Sequence, residues 1–236
     1  MRRLLLVAAL PLMLAMGPGS PSGEYVVVSA ARNPAVSNAA ARYRADDPRL
    51  VGRIVSFAGP RLSFDGDYTL CKRATTTTQR TTAGRIVRQV MPRGAGGRGA
   101  TPADAGLRLA ASAPVTVTRF RCIVAGTHGA DWDRAVLFPI DGGRWAFSIA
   151  PDHLMILQPA AGAIRGSFAC ARARSPVERT ICGDRVLAGW DRSVAAAYAG
   201  GDLAEQRTWL AERDRCGADR DCLHESMSLR VENLLH

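Results

Sequence analysis

The side chains of this 236-residue sequence whose types could do chemistry are six cysteines, four histidines and scattered carboxylates. The cysteines are Cys71, Cys122, Cys170, Cys182, Cys216 and Cys222. An even count with no Cys-x-x-Cys pair suits disulfides in an oxidising compartment better than metal ligation or free thiols. His128, His153, His224 and His236 are scattered, and nothing converges on a tetrahedral zinc site, so no metal or cofactor is expected. Glu178 and Asp191 could form a glycosidase carboxylate pair. Against this, Ser175-Pro176-Val177-Glu178 reads as a helix start in which Glu178 closes a capping box, with Asp191 as a helix-surface partner. A nucleophile elbow with Ser–His–Asp order is missing as well. Asp131-Trp132-Asp133 reads as an exposed trio for a sugar or a cation, or equally as a turn between two strands. Gln206, Trp209 and Arg213 fall three and four residues apart and share one helix face. That face is either a contact patch for a partner protein or internal. In the internal case Trp209 fills a small core, and Gln206 and Arg213 satisfy buried carbonyls or pair with Glu178 or Asp191. These residue types predict a binding protein with no catalytic residues of its own.

The elements that must position these groups change character along the chain. The stretch from Glu24 to about Asp47 is rich in Ala and Arg and reads as a short helix or a mobile leader, ended by Asp46-Asp47-Pro48. Leu62, Phe64, Tyr68 and Leu70 alternate with polar residues, as in a half-buried strand. Val115 and Val117 alternate, and Phe120, Cys122 and Val124 do so in the opposite phase, which predicts a bulge near Arg119. Ala135 to Ile140, the turn Asp141-Gly142-Gly143 and the alternating Trp145, Phe147 and Ile149 predict a β-hairpin, with one more strand from His153 to Leu157. Cys71 and Cys122 sit at strand ends as natural partners. The Thr-rich stretch from Ala74 to Thr82 and the Gly/Arg/Ala/Pro-rich stretch from Pro92 to Gly106 read as interruptions. The second of these reads as a flexible surface insertion without core-forming residues, or as a basic arm for a polyanion.

Gln158 to Ala163 reads as a linker, after which the periodicity is helical. Ser175 caps one helix, with Pro176 at its first position, and Asp184 caps the next, where Leu187, Trp190, Val194 and Tyr198 form an apolar stripe. Gly200-Gly201 stops that helix. Asp202 and Glu205 make a second capping-box pattern for a helix running to about Cys216. Asp219 caps a last one, whose apolar face is Leu223, Met227, Val231 and Leu234. A core of this size needs staples. Cys216 and Cys222 flank a turn, and Cys170 and Cys182 could tie the entry strand to the first helix. Four cysteines allow three pairings, and only proximity favours Cys170–Cys182 with Cys216–Cys222.

The order Ser167-Phe168-Ala169-Cys170, Glu178, Ile181-Cys182, Leu187, Asp191, Tyr198, Gln206-Arg207-x-Trp209-Leu210, Arg213-Asp214-x-Cys216, Cys222-Leu223 and Arg230 resembles the LprI-type lysozyme-inhibitor family of exported bacterial domains. The likeness is confined to the C-terminal third, and the run from Gln206 to Cys222 is its most specific part. The segment between Tyr198 and Gln206 is shorter than in that family, and Met227 stands where an aromatic residue is common. The resemblance implies a protein that binds a muramidase and blocks its cleft without chemistry of its own.

Met1-Arg2-Arg3 followed by the apolar run from Leu4 to Met16 reads as a cleavable export signal, too short for a membrane span. Cleavage is expected after Ser22, with Ala31 as an alternative, and no transmembrane anchor is expected after processing. The chain carries +10, but the segment from Ser167 onward holds ten Arg and eleven Asp/Glu. The positive charge therefore lies in front of it. An exported basic protein would meet anionic envelope polymers or lipid headgroups rather than nucleic acid. Basic lysozymes would be repelled by the whole chain but not by its near-neutral C-terminal part.

The expected organisation is a signal over 1–22, a leader over 23–49, a β-rich domain over 50–158 and a helical module over 166–236. The fold class is α+β: an antiparallel β-rich N-terminal domain, a small barrel or sandwich, followed by a small disulfide-stapled helical module. The expected function is a periplasmic or secreted lysozyme inhibitor-like protein. The alternative is an envelope binding protein whose β domain holds an apolar ligand or an anionic wall polymer.

Overall fold

The computed structural model describes residues 21–36, 43–92, 99–149, 153–160, 165–198 and 200–235. The front of the chain is a closed eight-stranded antiparallel barrel in which every strand pairs with its sequence neighbour and the last pairs with the first. The strands are β1 (Gly23–Arg32), β2 (Ile54–Ala58), β3 (Arg61–Phe64), β4 (Thr69–Thr82), β5 (Pro114–Ala125), β6 (Val136–Pro139), β7 (Trp145–Ser148) and β8 (His153–Pro159). Helix α1 (Ala83–Val90) lies between β4 and β5. Four helices follow the barrel: α2 (Pro176–Gly183), α3 (Arg185–Tyr198), α4 (Leu203–Asp214) and α5 (Arg220–Leu235). The α+β class and the barrel form of its β-rich part are as expected.

Inward side chains of successive strands fill the barrel. Val55, Phe57, Leu62, Phe120, Leu137, Phe147, Met155 and Leu157 form its core with Trp132. Trp132 is fully buried and comes from a 3-10 turn, Gly129–Arg134, not from a strand. Its ring lies 5.6 Å from Phe120 and 5.8 Å from Phe147, and its Nε1 donates to the Thr69 carbonyl at 3.3 Å. Gly129 lets this turn pass β4, since a Cβ there would meet the Leu70 carbonyl at 2.6 Å.

Two outer faces of the barrel are also covered. Ile86, Val87 and Met91 of α1 and its end pack on Val115, Val117, Val136, Phe138, Leu154 and Ile156. The helical module packs on the opposite strands, where Ile54 joins its core and Val26 lies against it.

These covers account for the corrections to the sequence reading. The leader over 23–49 opens with β1, so the barrel starts at Gly23 and not at residue 50. Tyr25, Val27 and Ala30 face the barrel core while Val26 faces the helices. With neighbouring residues covered on opposite sides, the run from Tyr25 to Val28 shows no alternation of apolar and polar residues. β5 has no bulge at Arg119: its pairing with β4 is unbroken from Thr82–Pro114 to Ala74–Cys122, and the register shifts only beyond Ala74. The change of phase marks a change of cover, because Val115 and Val117 face α1 whereas Phe120 faces the barrel interior. Leu62 to Leu70 is not one strand but two, joined by a turn in which Asp65 and Gly66 adopt φ of 54° and 68°. The Thr-rich stretch is no interruption, because Thr75 to Thr82 pair with Arg121 to Pro114 in the longest ladder of the barrel. In the stretch after Pro92, Ala100 and Ala105 are buried against α1 and do contribute core. Residues 93–98, most of the expected signal (1–20), 37–42 of the leader and 161–163 of the linker lie outside the described residues.

The hairpin Val136–Ser148 and the strand from His153 form as expected. All three disulfides pair as expected: Cys71–Cys122, Cys170–Cys182 and Cys216–Cys222, with Cα separations of 5.6–5.7 Å. Among the described residues no helix is long and apolar enough to cross a membrane.

Candidate partner-binding cleft

The helical module is assembled from local signals. Ser175 Oγ accepts the Glu178 amide at 3.1 Å, and Glu178 accepts the Ser175 amide at 3.0 Å, which completes the capping box. Those backbone donors, from Ser175 and then Arg174, hold the Glu178 carboxyl below its ordinary range. Asp184 caps α3 through the amides of Val186 and Leu187, and Asp219 caps α5 through those of Asp221 and Cys222. Asp202 caps α4, but Glu205 does not return the contact and pairs with Arg230 instead. Leu187, Trp190, Val194, Leu223, Met227 and Val231 then close the core between α3 and α5.

Helix α4 is held differently. Among its described residues only Arg213 is buried, and Leu203 is exposed. Between α4 and α3 a cleft of about 550 Å³ is left open, lined by Phe168, Asp191, Tyr198, Gln206, Trp209 and Arg213 among others. The three residues singled out from helical spacing therefore do meet at one site, and each has a distinct part. Trp209 is partly exposed on the cleft and rests against the module core. The Arg213 and Arg230 guanidinium carbons lie 5.4 and 5.8 Å from its ring centre. Gln206 Oε1 accepts from Arg230 Nη2 at 2.9 Å and so fixes one of these cations. Arg213, only 9 % exposed, stands 4.0 Å from the Asp191 carboxylate and 2.7 Å from Asp214. Arg213 stands beside Asp191 and Trp209 rests on the core, as the internal reading has it, whereas Gln206 holds Arg230 and not a buried carbonyl.

Asp191 is not on a helix surface. It is buried, and its Oδ2 accepts the Ser167 amide, which ties the lead-in segment to α3. A cap at Glu178 and a buried tie at Asp191 leave neither carboxylate as a free acid–base pair. Among the described residues no three His, Cys, Asp or Glu side chains cluster as a metal site needs.

The Asp131-Trp132-Asp133 trio is divided by the fold. Trp132 fills the barrel and Asp133 accepts the Cys122 amide at 2.6 Å. Asp131 lines a recess of about 230 Å³ at the barrel mouth with Tyr68, His128 and His153.

A second polar centre had no sequence forecast: the joint between barrel and helices. Arg53, at 1 % exposure, lies flat on Trp190 with its guanidinium carbon 3.5 Å from the ring centre. Its Nη2 donates to Ser193 Oγ at 2.7 Å and its Nη1 stands 3.7 Å from Asp65. Trp190 Nε1 donates to the Asp65 carboxylate at 3.0 Å, and His224 Nε2 is 3.1 Å from the same group. Burial lowers the Arg53 pKa to about 10, with Asp65 opposing the shift, so it remains a cation at neutral pH. Arg53 and Asp65 come from the barrel, Trp190, Ser193 and His224 from the helices. The one local signal of this joint was glycine at 189 in mid-helix: its α-carbon faces Gly52, and a Cβ would meet the Gly52 carbonyl at 2.5 Å.

Comparison of the chain with protein-family models, curated proteins and solved structures finds no match.

Proposed function

We propose that this protein is a non-enzymatic inhibitor of a muramidase, exported to the periplasm or beyond the cell, and that its helical module makes the contact through the cleft between α3 and α4. The observation that carries the reading is the partly exposed Trp209 in a concave site with Tyr198 and Arg213. Trp, Tyr and Arg in a recess are the residues that dominate the energetics of protein–protein contacts. The order of cysteines, caps and Gln206, Trp209 and Arg213, which resembles the LprI-type inhibitors, supplies the partner class. Three disulfides, joining all six cysteines, fit an oxidising compartment. A helix with one buried residue also costs little to adjust against a partner surface.

The test is a cell-wall lysis assay with several lysozyme classes and the oxidised chain from Gly23 onward. Stoichiometric slowing of one class is expected. Trp209→Ala, with an unchanged circular dichroism spectrum, is expected to weaken the complex about thirtyfold, the loss that marks an interface anchor. Failure to slow any class at micromolar protein overturns the proposal.

A further inference from the structure

We propose that the outer face of the β4–β5 ribbon, continued by α1, docks this protein on an anionic lipid surface. The proposal is independent of the inhibitor reading and rests on a different part of the molecule. Between Tyr68 and Ala130 the chain has ten basic residues and a single acidic one, Asp104. That carboxylate is engaged by the Thr101 hydroxyl and amide.

The barrel turns this bias into a surface. The unbroken register places Arg119 and Arg121 on the same side of β5 as Val115 and Val117, which face α1, and the exposed Ile123 follows at the register shift. Successive positions on one side of a strand are about 7 Å apart. Thr77 and Thr75 lie opposite Arg119 and Arg121, and Arg73 lies opposite Val124. Arg119 reaches Gln89 on α1 at 2.7 Å, so the exposed Arg85 and Arg88 of that helix extend the same face.

The apolar part points to lipid rather than a soluble polyanion. Three exposed large side chains, Tyr68 at 55 %, Ile123 at 47 % and Val124 at 38 %, gather at the end of the ribbon that carries Lys72, Arg73 and Arg121. Tyr68 stacks 5.2 Å from His128, and the Leu70 amide binds the Thr127 carbonyl, which fixes Tyr68 beside this end. The Cys71–Cys122 disulfide holds the two strands together there. An apolar tip with a basic surround is the composition that enters a headgroup layer while its cations meet anionic lipid. A phosphate polymer would use the arginines but gain nothing from exposed Ile123 and Val124. The carboxylates nearest this end are Asp67, which precedes Tyr68 and pairs with Arg61 at 2.9 Å, and Asp131 and Asp133 of the 3-10 turn, of which Asp133 is held by the Cys122 amide.

The experiment is co-sedimentation of the chain from Gly23 onward with vesicles of phosphatidylcholine, and with vesicles of equal parts phosphatidylcholine and phosphatidylglycerol. Binding to the anionic vesicles alone, weakened by salt, is expected. Arg73→Ala with Arg121→Ala should lower partitioning about 25-fold, at roughly fivefold per cation near an anionic surface. Ile123→Ser with Val124→Ser should lower it severalfold and make the remainder fully reversible by salt. Arg192→Ala with Arg207→Ala removes the same charge from the helical module and should change it less than about twofold if location matters. Thermal melts confirm that each variant is folded. Three outcomes each overturn the proposal: equal or absent binding to both vesicles, equal loss in both arginine pairs, or soluble polyphosphate bound as tightly as vesicles with no effect of the serine variants.

Discussion

The barrel and the helical module hold themselves together in different ways. In the barrel every strand has a neighbour on each side, and Phe57, Phe120, Trp132 and Phe147 fill the interior. In the module α3 and α5 make the core, α2 is stapled by Cys170–Cys182, and α4 contributes one buried arginine. The module also draws on the barrel: Ile54 completes its apolar core and Arg53 lies on its Trp190. A closed ladder distributes cohesion over the whole barrel, whereas a thin helical core concentrates it at staples and at one joint. The least-held helix is the one that borders the cleft.

The largest test of this contrast is at the barrel centre. Trp132→Ala should destabilise the protein by about 3–5 kcal/mol in denaturant unfolding, the usual cost of emptying a buried aromatic site. A loss close to zero would mean that the barrel is not held from its interior. Next is the joint. Gly189→Ala sets a Cβ against the Gly52 carbonyl and should cost about 3 kcal/mol, the upper part of the range for overpacking, because the opposing atom is backbone. Amide hydrogen exchange should then accelerate in α3 and α5 before it does in β5 to β8. Equal acceleration everywhere would show barrel and module to be one cooperative unit.

The smallest effect is in acid. Asp47 is buried in the connection between β1 and β2. Burial raises its pKa, but the Arg49 side chain and the amides of Arg44 and Arg49 outweigh this and hold it below 3.8. A carboxyl with a depressed folded pKa stabilises the fold fully above its unfolded value and loses that stabilisation as pH falls through the folded one. Asp47→Asn should therefore cost about 1.5 kcal/mol near neutrality, the value of a hydrogen bond to a charged group, and less in acid. The difference from the unaltered protein should shrink below pH 3.8, as read by urea unfolding across the acid range. A constant difference across that range would remove Asp47 as a source of acid lability. Arg49 also pairs with Glu232 of α5, so this loop is a second link between barrel and helices.

Much of the module was legible because its instructions are local. Ser175 with Glu178, Asp184 and Asp219 each act on amides two or three residues away, and helical spacing alone put Gln206, Trp209 and Arg213 on one face. The cleft was half legible: spacing set the shared face, but not that Arg213 would be buried beside Asp191 while Trp209 stayed partly exposed. The barrel was legible at the hairpin, where Gly142-Gly143 marks the turn, and in the apolar runs of β6 and β8, which are buried on both faces. It was misread at β1, along most of β4 and in β5.

The sequence by itself determined the β-to-helix order, the hairpin, the helix caps and a cysteine set whose nearest pairings are those observed. These depend on residue types within a few positions of one another. The tertiary structure alone decided that Gly23–Arg32 closes the barrel, that the apolar face of β5 changes sides and that Trp132 is core. It also joined Arg53 to a helix 137 positions further along the chain, at Trp190. Which face of a strand must be apolar depends on what covers it, and the covering element is placed by packing between distant segments.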